Sequence, residues 1–205
     1  MEQALWAAQA PNDAPTFAAA REIARRAGGA SALRANLQER GYVVGGTLAT
    51  VTKPFNVFAH IASGTLTQPE MDENKSLGIY SMRFVVARNR SENDAHWASN
   101  DSEWVGKASM GARHRFLTTR DLSWQWFNVI SFGLEGDTAS LAEAIELLEA
   151  LQFAARSFAS ATPNWSAAPD RLGMFFHCYP HNSVNSLHMH LVDLSEVGPT
   201  YGALV

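Results

Sequence analysis

At 205 residues, 46% of them apolar and 18% charged, the chain is long enough for one domain with a packed core. Its net charge of -4 excludes the basic excess that a long nucleic-acid ligand requires. Cys178 is the single cysteine, which excludes an intramolecular disulfide and points to a reducing, cytoplasmic setting. No apolar run is long enough to span a bilayer, and the first residues lack the basic start and apolar stretch of a secretory leader. No membrane association is expected.

Phe17 to Ala27 is rich in Ala, Arg and Glu, which predicts a helix stopped by Gly28 and Gly29. Ser31 to Arg40 predicts a second helix, capped by Ser31 and ended by Gly41. Composition changes at Tyr42, so residues 1–41 read as a helical extension, mostly separate from a domain over 42–205. Tyr42 to Val44, Thr47 to Val51, Ile79 to Ala87 and His114 to Thr119 are β-branched or aromatic runs, read as strands. Residues 88–111 are polar and turn-rich, the character of a long functional excursion. A helix is predicted over Thr138 to Ser160, with Leu141, Ile145, Leu148, Leu151 and Phe158 as its apolar stripe. Two strands come next, Leu172 to Tyr179 and Leu187 to Leu194. This order predicts an α+β fold: an antiparallel sheet with a long helix packed on it.

Four of the seven histidines fall between positions 177 and 190. Side chains alternate along a strand, so Ser186, His188 and His190 share one face while Leu187, Met189 and Leu191 share the other. Three readings of His188-x-His190 are open. It is a polar strand face, or a metal site completed by His177 or His181, or a neutral imidazole nucleophile with a partner. Against the metal reading, no acidic residue stands at a recognisable ligand spacing nearby. No metal and no cofactor is expected.

The stretch Ser183-Val184-x-x-Leu187-His188-Met189-His190-Leu191-Val192 resembles the signature of the histidine-triad (HIT) superfamily. Phe176-His177-x-x-Pro180-x-Asn182-Ser183-Val184 resembles the approach to that signature in histidine-triad nucleotide-binding proteins, with related segments in aprataxin and the scavenger decapping enzymes. Val57-Phe58-Ala59-His60-Ile61-Ala62-Ser63-Gly64 resembles the opening Ile-Phe-x-x-Ile-x-x-Gly of the same fold. The matches span about residues 55 to 193, with a poor match over 88–111.

The resemblance implies a HIT-like sheet and helix, often assembled as a homodimer. It implies a hydrolase or transferase acting on a small phosphate-containing substrate, through a covalent intermediate on His188. His190 would contact the phosphate, with Ser183 near the phosphate and leaving group. Asn182, His177, His181 and Ser186 would complete the substrate site, with Trp124 and Trp126 as pocket candidates. Ser186 stands where the first triad histidine belongs, a position that orients the central histidine through its backbone carbonyl. A further histidine, carried by relatives on the strand before the helix, aligns with Asp121. An acid that would hold a ribose aligns near Ser81 or Met82, and neither is acidic. Two other functions stay open: a HIT fold turned to a non-nucleotide small molecule, with the histidines as acid and base or metal ligands, and a non-catalytic nucleotide-binding module.

Overall fold

The computed structural model describes residues 17–68, 71–134, 138–177, 184 and 186–205. The architecture is mixed α+β, with a four-stranded antiparallel sheet and one long helix packed on it. Among the described residues no helix is long and apolar enough to cross a membrane.

Helices α1 (Phe17–Arg26) and α2 (Gly29–Glu39) meet at Gly28, whose φ of 107° suits glycine and breaks the first helix. The two helices do not stand apart from the rest of the chain. Ala20, Ala24, Leu33 and Leu37 pack with Trp124, Phe127 and Ile130 in one buried cluster. A short hairpin of β1 (Val43–Val44) and β2 (Thr47–Leu48) extends that cluster through Val43 and Leu48.

The main sheet runs β3 (Phe84–Ala87), β4 (His114–Thr119), β6 (His188–Asp193), β5 (Leu172–Phe175) in spatial order, each pair antiparallel. Both faces of the sheet are covered. On one face Leu117, Leu187, Met189 and Leu191 meet α5 (Thr138–Ala161). On the other, Val85, Ala87 and Phe116 meet Phe58 and Ile61 of α3 (Val57–Ala62). Asn56 caps α3, its side chain accepting from the Ala59 N–H at 3.1 Å.

Two expectations shift. The segment from Ile79 is not strand: residues Met71–Met82 form 3-10 turns kinked at Gly78, and pairing starts at Phe84. Ile79 and Met82 are each 83% exposed, so β-branching and hydrophobicity there serve no buried face. The outer edge of β3 is instead closed by side chains. Asn74 Oδ1 accepts from the Val86 N–H, and the Gln68 amide bonds both the N–H and the carbonyl of Arg88. Helix α5 buries only part of the expected stripe: Leu151 and Phe158 are in the core and Leu148 is partly buried against it. Leu141 and Ile145 are about half exposed, at 50% and 49%, while Ala144, Leu147, Leu151, Ala154, Ala155 and Phe158 are buried. Small alanines let the helix come close to the sheet, and a count of large apolar residues misses them.

Residues 88–111 hold one short helix, α4 (Ser91–Ala95), and otherwise turns. The excursion is pinned where it matters for the site. The Ser109 N–H donates to the Asn93 carbonyl, and Gly198 lies so close to Trp97 that a Cβ there would stand 1.9 Å from its carbonyl oxygen. The loop is thereby held against the start of α6 (Pro199–Leu204).

Candidate active site

Strand β6 is interior to the sheet, between β4 and β5, so His188 and His190 project from its most constrained element. In register, Thr118 faces His188 and Phe116 faces His190. The surface that alternation predicts is covered by α3 and the excursion: His188 is only 8% exposed and His190 5%. Phe58 stacks on His188 at 4.3 Å, and Phe116 meets both rings edge-on.

A third imidazole joins them from β4. The Met110 N–H donates to His114 Nδ1 at 3.2 Å, which leaves the His114 proton on Nε2. That Nε2 is 3.1 Å from His190 Nδ1, so His114 donates and His190 accepts. His190 then carries its own proton on Nε2, which is buried and has no partner among the described residues. His188 is set the other way. Its Nδ1–H donates to the Ser186 carbonyl at 2.7 Å, and Nε2 is left with a lone pair. His177, after β5, completes the group, with its ring 4.3 Å from His190 and a buried Nε2 that also lacks a partner among the described residues.

These tautomers require neutral rings, and burial makes them neutral. It pushes His114 down to about 3, helped by the Arg115 guanidinium and the imidazoles of His188 and His177. It pushes His188 down to about 4, opposed by the hydrogen bond to the Ser186 carbonyl. Burial also holds His190 well below the ordinary 6.5, with His188 and His114 adding to it, and it lowers His177.

The four imidazoles line a cavity of about 760 Å³. Phe58 and Ile61 form one wall; Arg88, Asn89, Trp104 and Lys107 belong to another. Arg88 pairs with Glu73, which also holds Arg115 through two bonds of 2.7 and 3.0 Å. Burial alone would raise the Glu73 carboxyl, but these hydrogen bonds and charges bring it below its ordinary value. A second cavity of about 540 Å³, beside Arg83, Arg120 and Glu143, contains no imidazole among its described lining residues.

No protein-family model, curated protein or solved structure matches the chain.

The structure brings His177, His188 and His190 to one cavity, with Ser186 acting through its carbonyl. Ser183, Asn182 and His181 lie outside the described residues. Trp124 is not at the cavity: it is buried among the N-terminal helices, with the Arg34 guanidinium 5.6 Å from its ring. Asp121 is not there either, since it accepts from Trp126 Nε1 at 2.8 Å beside the second cavity. The strand before the long helix, β4, carries His114, to which sequence reasoning gave no role. Period-two alternation of His114, Phe116 and Thr118 was the available signal, and only pairing with β6 gives it meaning. Ser81 and Met82 also lie away from the cavity, where the end of β3 presents Asn89. Trp104 and Lys107, from the excursion, are further lining residues without a motif.

Among the described residues no group of three or more His, Cys, Asp or Glu is placed to hold a metal ion. The arrangement offers a directed imidazole lone pair beside a directed imidazole N–H. A nucleophile and a hydrogen-bond donor on rings whose centroids lie 5.2 Å apart suit attack on a centre whose oxygens gain charge.

Proposed function

We propose that the chain is a HIT-like hydrolase or transferase acting at phosphorus. The observation that carries this reading is the hydrogen bond from His188 Nδ1 to the Ser186 carbonyl, which fixes the lone pair on Nε2. His188 Nε2 attacks the phosphorus, a P–N bond forms, and the bond to the leaving group breaks with its electron pair. The leaving group takes its proton from solvent water. His190 Nε2–H donates to a non-bridging oxygen as charge develops there. Water, or another acceptor, then attacks the phosphorus of the phosphoryl-His188 or nucleotidyl-His188 intermediate and loses a proton to solvent, while the P–N bond breaks with its electron pair returning to Nε2, so that His188 is neutral again.

The test is intact-protein mass spectrometry after mixing with nucleoside phosphoramidates and dinucleoside polyphosphates, quenched at mildly alkaline pH. An adduct on His188, absent from His188→Ala, is the expected result. Mononucleotide release that persists undiminished in His188→Ala overturns the nucleophile assignment.

A second reading has one observation in its favour: Ser81 and Met82, where the resemblance places a ribose-holding acid, are not acidic and lie away from the cavity. It assigns the same cavity to a non-nucleotide small molecule, with the imidazoles as acid and base or as metal ligands. Loss of activity on chelation, restored by a divalent ion, would select its metal form.

A further inference from the structure

Beside the histidine cavity lies an apolar groove of about 610 Å³. Val129, Phe132, Leu148, Met174, Phe175 and Phe176 form its walls. His177 and Leu204 line both spaces, so groove and cavity meet at one imidazole. That imidazole is held in place: its backbone carbonyl accepts from Asn128 Nδ2 at 3.1 Å, and its ring tilts against His190. Polarity is segregated across this junction. Charged groups, among them Arg88, Arg90, Glu92, Glu103 and Lys107, line the histidine cavity, and no charged side chain is among the described residues lining the groove.

We propose that the groove binds an apolar group, aliphatic or aromatic, of the same molecule whose phosphoryl group lies among the imidazoles. This rests on the proposed phosphoryl chemistry and narrows its substrate class to an amphiphile. A second anionic group would find no countercharge in the groove, whereas an apolar group removes its walls from water. Continuity through His177 and Leu204 lets one ligand occupy both halves. Ligand sites are commonly built this way, apolar for most of their area with a few convergent polar groups.

Calorimetric titration with n-alkylphosphonates from ethyl to octyl tests the proposal without any chemical step, because their P–C bond is not displaced. Kd should fall about three- to fourfold for each added methylene until the groove is filled. Leu148→Glu should flatten that dependence. Val205→Glu, at a position 60% exposed and also on the groove, repeats the test without disturbing the core. A Kd independent of chain length overturns the proposal, and if Leu148→Glu then splits a dimer the face is a contact between two copies. Chain-length dependence that survives in both variants also overturns it, because the apolar group is then elsewhere. No binding of any phosphonate removes the phosphoryl reading together with this one, whereas a flat series removes this one alone.

Discussion

His114 and His190, 76 positions apart in the chain, share one proton's worth of direction: His114 Nε2–H donates to His190 Nδ1 at 3.1 Å. The Met110 N–H, at the other side of the His114 ring, sets which way that bond runs. A backbone amide thereby decides that His190 carries its proton on Nε2.

His114 is a positioning residue for the proposed reaction, and its variants should show that. In His114→Phe, His190 loses its acceptor role at Nδ1, and kcat should fall by about two powers of ten with KM changed much less. His114→Gln keeps a side-chain N–H and should recover part of the loss. Nitrogen NMR of His190 supplies a signature that a merely structural role would not move. Nε2-protonated imidazole is expected in the wild type, and a mixture of tautomers in His114→Phe. An unchanged tautomer in that variant would sink the relay.

Acid should destabilise the fold earlier than carboxylate titration requires. The folded values of about 4 for His188 and about 3 for His114 lie below the ordinary 6.5, so the unfolded chain binds protons that the folded chain refuses. Their contribution is fully present above about pH 6.5 and is lost as pH falls towards 4 and 3. Each adds a slope of up to ~1.4 kcal/mol per pH unit within its window. Urea unfolding at pH 7, 6 and 5 measures the slope, and His114→Phe should reduce it by about one proton. Equal stability at pH 7 and pH 5 would contradict the buried neutral state.

Phe58 holds the plane of the His188 ring by stacking at 4.3 Å. Phe58→Leu preserves most of the apolar volume, so stability should fall by less than about 1.5 kcal/mol. The lost ring contact is worth roughly 0.5–1.5 kcal/mol, so kcat should drop by about two- to twelvefold. Steady-state kinetics beside a thermal melt separate the two effects. Undiminished kcat would mean that Ser186 alone aims the ring.

Plain AMP and GMP should bind weakly. Ser81 and Met82, which the resemblance aligns with a ribose-holding acid, are not acidic and lie away from the cavity, and the Asn89 side-chain oxygen on its wall already accepts from the Arg90 N–H at 3.0 Å. Loss of a charged acceptor for the two hydroxyls costs roughly 1.5–3 kcal/mol, about one to two powers of ten in Kd. Calorimetry measures this directly, and submicromolar binding of either nucleotide would show an intact nucleoside pocket.

Local pattern in the sequence determined the elements that carry the site. Alternation of Leu187, Met189 and Leu191 with Ser186, His188 and His190 defines a strand with one core face, because strand side chains repeat every two residues. The long helix was legible for the same kind of reason, since its apolar residues recur at helical spacing. Which face of that helix is buried was decided by tertiary packing. Contact with the sheet selected Ala144, Ala154 and Ala155 over Leu141 and Ile145, a choice of close approach over side-chain size. The participation of His114 was decided in the same way. It comes from the register of β4 on β6, a long-range pairing that no local pattern encodes. Burial then fixed what the residues can do: exposed on an open strand face, His188 and His190 would titrate as ordinary imidazoles. Under Phe58, Phe116 and the excursion they stay neutral, because the covered site disfavours the charged form.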